Sequence, residues 1–179
     1  MSKLGEIMKK LSELENELEE THLYIQELLK NPKKTSSGGT VFCYFTHSFV
    51  IDFEDTSNLI IGNFHVKNAS SEPVVSPTIL LKIGCDEEFQ FMGKYKLPDQ
   101  SPHMYNYEWE RLELQDFDPD SHYFLRPLHA DEIPPDGELS FQNFQIIIPY
   151  AAPITVEGFV YFEGKQDGIA SINYINIAG

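Results

Sequence analysis

Asn58-Leu59-Ile60-Ile61-Gly62-Asn63-Phe64-His65-Val66-Lys67 is the stretch that decides the class of fold. Ile60, Gly62, Phe64 and Val66 fall on one side of an extended chain, with Ile61, Asn63, His65 and Lys67 on the other. That two-residue period belongs to a strand with one core face and one wetter face. Outward from it, short runs rich in Val, Ile, Phe and Tyr are separated by Pro, Gly, Asn and Asp, an all-β pattern. It predicts strands at residues 41–46, 48–53, 58–67, 75–83, 88–92, 105–113, 122–126, 139–148, 154–163 and 169–177. Two hairpins are expected. One turns through Asn68-Ala69-Ser70-Ser71-Glu72-Pro73 towards Ile79, Leu81 and Ile83, and the other joins Val156–Glu163 to Ile169–Ile177 through Gly164-Lys165-Gln166-Asp167-Gly168. About ten strands with no helix among them favour an antiparallel β-sandwich over residues 41–179, of immunoglobulin-like or jelly-roll type, rather than a barrel.

Ahead of this region the period changes. Leu4, Ile7, Leu11, Leu14, Leu18, Thr21, Ile25 and Leu28 are spaced three and four apart without a slip, a heptad seam. The remaining positions are mainly Glu, Lys, Ser, Asn and Gln, and Lys10 and Glu15 sit at g and the following e. Residues 1–31 therefore read as a coiled-coil helix through which copies of the chain assemble, the alternative being a helix folded back on its own domain. Four heptads reach roughly 40 Å at about 1.5 Å per residue. Thr21 interrupts the apolar stripe while Met8 and Leu29 widen it, so the seam does not specify a strand number. Asn31-Pro32 ends the helix, and residues 32–40, polar and glycine-containing, read as a flexible linker.

The 179 residues carry a net charge of −15 and include 13 Phe and 9 Tyr, ample aromatic mass for a core. Six Lys against seven Glu in residues 1–34 leave 7 basic and 21 acidic residues to the remainder, a net of −14 in the β region. Such a surface repels phosphate backbones and anionic lipid, which argues against nucleic acid as a partner. No basic segment precedes an apolar run at the N-terminus, and no apolar stretch approaches about 18 residues, so membrane insertion is not expected. The reading is of a cytoplasmic protein, or of one in a surface or extracellular assembly reached without a cleaved signal peptide.

The chemistry-bearing residues are few. Tyr105, Tyr107 and Trp109 alternate with Asn106, Glu108 and Glu110, which puts three rings on one strand face, either as sandwich core or as an exposed platform for stacking a sugar. Asp116, Asp118 and Asp120 also alternate, but their loop lacks the Gly and Glu of a twelve-residue calcium loop. Cys43 and Cys85 read as reduced thiols, with a disulfide as the alternative if their strands oppose. Neither nucleophile elbow, nor phosphate-cradling glycine loop, nor paired metal-binding histidines occur, and no cofactor is called for. The expectation is a non-catalytic assembly or adaptor protein whose coiled coil clusters sandwich heads on a protein partner. A carbohydrate-binding module with Tyr105, Tyr107 and Trp109 as its platform is one alternative, and a small carboxylate-based hydrolase the other.

Overall fold

In the computed structural model the decisive stretch lies in a strand, Ser57–Asn68, along which half-buried and fully buried residues alternate without a break. The described residues are 40–51, 57–100 and 107–178. The chain divides into two units, Met1–Gly38 and Gly39–Gly179. The seam from Leu4 to Leu28 and the linker as far as residue 39 lie outside the described residues.

Thirteen strands and no helix occupy the described residues: β1 Val41–Ile51, β2 Ser57–Asn68, β3 Val74–Val75, β4 Thr78–Cys85, β5 Gln90–Met92, β6 Tyr95–Lys96, β7 Trp109–Leu112, β8 His122–Pro127, β9 Glu132–Ile133, β10 Glu138–Pro149, β11 Ile154–Phe162, β12 Lys165–Ala170 and β13 Ile175–Ile177. They form a four-stranded sheet in the order β1-β2-β10-β5 and a seven-stranded sheet in the order β12-β11-β4-β8-β7-β6, with β13 also on β11. A short pair, β3 and β9, stands apart. The two large sheets pack face to face as a sandwich, and their inward residues merge into one core. Ring contacts stitch the sheets together: Phe91 of the first lies 4.2 Å from Tyr123 of the second, and Phe141 lies 5.5 Å from Trp109. Each buried aromatic or branched side chain contributes roughly 1.5–3 kcal/mol by leaving water.

Several strands depart from the sequence expectation. The strands expected at 41–46 and 48–53 are one strand, β1, as far as Ile51, because Thr46-His47-Ser48 keep an unbroken antiparallel register with Asn63, Gly62 and Ile61; residues 52 and 53 lie outside the described residues. The predicted hairpin through Asn68–Pro73 does not form. β2 pairs with β1 and β10, while β4 pairs with β11 and β8 in the opposite sheet, so residues 69–77 carry the chain across the sandwich. Asn68 fixes that crossing. Its side chain is fully buried; Nδ2 donates to the carbonyls of Glu72, Ile133 and Pro134 at 2.8, 2.9 and 3.2 Å, and Oδ1 accepts from the backbone N–H of Ser70 at 2.9 Å and its hydroxyl at 2.6 Å. Leu80 and Leu81 of β4 are both buried, which suits a strand covered on both faces.

The second hairpin exists with a tighter turn, Phe162 opposing Lys165 around Gly164 at φ +81°, and its returning arm breaks into β12 and β13. The strand expected at 105–113 shortens to β7, and β7 runs parallel to β6, the one parallel pair among the described strands. Gly158 of β11 is set by the packing of the layers: a Cβ there would overlap the rings of Phe64 and Phe45 from the other sheet.

Candidate functional site

The outer face of the four-stranded sheet gathers the chemistry-bearing side chains that the core leaves out. Inward residues Cys43, Phe45, Phe64, Val66 and Phe141 are buried, so their neighbours Phe42, Tyr44, Thr46, Asn63, His65, Lys67 and Ser140 must face outward. Cross-strand register then fixes which of them meet. Tyr44 opposes His65, and His65 opposes Ser140. The Tyr44 and His65 rings are near-parallel at 4.8 Å, and Phe42 continues the row 6.3 Å from Tyr44.

A polar chain crosses the same three strands. The Asn143 backbone N–H donates to Asn63 Oδ1 at 2.9 Å, and Asn63 Nδ2 donates to Thr46 Oγ1 at 3.0 Å. Thr46 Oγ1 meets His65 Nε2 at 3.1 Å, while His65 Nδ1 meets Glu138 Oε1 at 2.9 Å and Ser140 Oγ at 2.8 Å. The acceptor-only carboxylate of Glu138 assigns the proton to Nδ1, so neutral His65 accepts from the Thr46 hydroxyl through Nε2. A bulge in β10 between Phe141 and Phe144, with Asn143 at φ +56°, turns that N–H towards Asn63. The hydroxyl–imidazole–carboxylate order is that of a nucleophile relay. Here the Thr46 backbone is taken up in the β1–β2 ladder and the Asn143 N–H is held by Asn63. What the arrangement does offer is half-buried rings flanked by fixed donors and acceptors on an open sheet.

The sequence-predicted residues are distributed differently. Trp109 is 3 % exposed and lies edge-on to Phe141, so it takes the core alternative and offers no ring to a ligand. Tyr107 is half-buried, and Tyr105 lies outside the described residues. Cys43 and Cys85 are free and stand in opposite sheets; burial pushes the Cys43 thiol up to about 12. Asp116, Asp118 and Asp120 lie in an exposed loop, where Asp118 accepts from the Asp120 backbone N–H and the Ser121 hydroxyl, bonds that lower its pKa. Asp118 and Asp120 also border an open cavity of about 600 Å³ with Ile83, Cys85, Asp86 and Phe89. No group of three or more potential metal ligands occurs among the described residues.

A second cavity, about 430 Å³, lies under the loop carrying Phe117. Arg111 borders it, with its guanidinium 4.5 Å from the centre of the Tyr123 ring and Nη2 donating to the Pro119 carbonyl. These contacts strap the acidic loop to the sandwich, and Phe117 packs edge-on to Phe124 at 4.9 Å beneath it.

The outward row on β1 and β2 escaped the sequence reading because Tyr44 and His65 lie 21 positions apart and meet only through register. The one available signal was the alternation of Phe42, Tyr44 and Thr46 with Val41, Cys43 and Phe45, which a break placed at His47 obscured.

No protein-family model and no curated protein matches the sequence. Among solved structures, the chain is similar to the carbohydrate-binding module CBM3b from the cellulosomal cellobiohydrolase 9A of Clostridium thermocellum, at 14 % identity and a TM-score of 0.38, over 74 % of this chain and 97 % of that one. A point mutant of the same module gives 15 % identity, the same TM-score and the same coverage.

Proposed function

We propose that this protein is a non-catalytic recognition module that binds carbohydrate on the outer face of its four-stranded sheet. The observation that carries the reading is the row Phe42, Tyr44 and His65, half-buried and near-parallel, bordered by the side chains of Thr46, Asn63, Ser140 and Glu138. Pyranose rings present an apolar C–H face and a rim of hydroxyls. Aromatic surface suits the first, and fixed amides, hydroxyls and carboxylates suit the second. The site replaces the platform expected at Tyr105, Tyr107 and Trp109, since Trp109 is spent in the core.

The heptad seam at Leu4–Leu28 adds a second element to this proposal: it joins several heads, so weak single-site affinity becomes avidity. Binding to a panel of soluble and insoluble polysaccharides tests the reading. Tyr44→Ala is expected to weaken retention at least about tenfold, roughly 1.4 kcal/mol, while the protein stays folded at the assay temperature with a stability loss of about 1 kcal/mol from the lost ring pair. Absence of binding to every polysaccharide, or equal retention of the variant, rejects it.

A further inference from the structure

The polar chain across β1, β2 and β10 has a direction fixed from both ends. The Asn143 backbone N–H can only donate, so Asn63 meets it with Oδ1 and turns its amide nitrogen to Thr46 Oγ1 at 3.0 Å. At the other end the Glu138 carboxylate accepts from His65 Nδ1 at 2.9 Å, with Ser140 Oγ 2.8 Å from the same nitrogen and 3.1 Å from Glu138 Oε1. With the ring proton held on Nδ1, Nε2 is an acceptor, and the single hydroxyl proton of Thr46 points into it. That donor is spent within the network, although Thr46 itself is exposed.

Protonation of His65 reverses one link. Both nitrogens of an imidazolium donate, so Nε2 gives its proton to Thr46 Oγ1, which already accepts from Asn63 Nδ2. Both lone pairs of the hydroxyl oxygen are then filled, and its O–H turns outward. The ring has no reason to move, since Tyr44 stacks on it at 4.8 Å and both nitrogens keep their partners. Nor does the backbone under Thr46 yield. Asn173 Oδ1 accepts from the Phe45 N–H at 2.7 Å and its Nδ2 donates to the Phe45 carbonyl at 2.9 Å, while the Ile172 N–H donates to the Cys43 carbonyl at 2.9 Å, so this part of β1 is held on the side away from β2 as well. Of the charged groups beside the ring, Glu138 from β10 pairs with the imidazolium, and Lys67 on β2 gives its ammonium to the Asp136 carbonyl. Tyr44 and Thr46 from β1, Asn63 from β2 and Ser140 from β10 complete its surroundings.

We propose that Thr46 is a ligand-contacting donor switched by His65: with the imidazole neutral its hydroxyl is turned inward, and with the imidazolium formed it donates to an oxygen of the sugar stacked on Phe42 and Tyr44. Because it rests on the glycan reading, the switch also narrows the ligand to neutral glycans. Sugar hydroxyls and ring oxygens supply the acceptor that the outward O–H needs, whereas a chain of net charge −15 repels uronate and sulfate groups.

The test measures retention of the full-length chain on cellulose, xylan, mannan and starch at about pH 8 and about pH 5.5, the interval over which histidines change charge. One added hydrogen bond is expected to tighten binding roughly three- to tenfold at the lower pH. Thr46→Val keeps the branched shape on an exposed strand position and is expected to bind equally at both pH values. Nitrogen NMR of the ligand-free chain reads the switch directly: at about pH 8, His65 Nδ1 is expected to carry the proton and Nε2 none. No retention on any polysaccharide at either pH rejects the glycan reading, and this switch with it. Retention that is equal at both pH values, a Thr46→Val variant with the same pH response as the parent, or a proton on Nε2 at about pH 8 overturns the switch and leaves the glycan reading standing.

Discussion

At the scale of single residues, Asn68 has the largest structural consequence for its size. Five contacts from one buried amide tie together two separate segments, Ser70–Glu72 and Ile133–Pro134. Asn68→Ala takes the amide donor from the buried Ile133 carbonyl, while the Glu72 and Pro134 carbonyls keep the Ser70 hydroxyl and the Gly137 N–H, and it is expected to cost about 1–3 kcal/mol, read as a lower urea midpoint at unchanged slope. Asn68→Asp keeps the shape but replaces the donating amide with an acceptor facing three carbonyls, so it should be at least as damaging. Gly158→Ala tests the closeness of the two layers: its methyl has to displace the Phe64 and Phe45 rings, an overpacking cost of about 1–3 kcal/mol in the same measurement.

At the scale of elements, β1 is a strand whose edge is completed by side-chain chemistry. Asn173→Ala exposes the Phe45 N–H and C=O and is expected to cost about 1 kcal/mol, with faster hydrogen exchange at Phe45 as the local signature. The elements also show which kinds of information sequence patterns hold. β2 was legible because one face is core and the other is not, so Ile60, Phe64 and Val66 alternate cleanly. β4 was legible as a strand, but its place was not: a run such as Ile79-Leu80-Leu81 declares burial on both faces and says nothing of which sheet supplies the neighbours. The crossing at residues 69–77 has the composition of a hairpin turn, and only the long-range partners of Asn68, Ile133 and Pro134, reveal otherwise. Trp109 likewise alternates as a core residue and as a platform would; the pairing of β7 with β8, which aims it at Phe141, decides between them.

At the scale of the whole molecule, several buried acids favour their neutral forms. Burial raises Cys43 from 9.0 to about 12 and Tyr123 from 10.0 to about 12, and it raises Tyr95 and Tyr161 as well. Near Tyr95 and Tyr123 the Arg111 charge works against burial and is outweighed. A raised folded pKa means that the unfolded chain ionises first. The stabilisation from these groups is therefore complete below about pH 9 and is lost as pH rises towards about 12, which alkaline denaturation at constant ionic strength will show as a falling urea midpoint. Replacing Cys43 with Ala should flatten the onset of that fall while lowering stability at neutral pH, because a buried side chain is shortened. The tie between Asn173 and Phe45 spans 128 positions and has a consequence in time. A ribosome adding about 5–20 residues per second delivers Asn173 roughly 6–25 s after Phe45. For that interval the Cys43–Phe45 part of the β1 edge stays uncapped, and it is completed only after β10, β11 and β12 have been added. Polysomes crowded with such nascent chains would be where mispairing between neighbours competes with folding, and where a chaperone that shields extended segments would act.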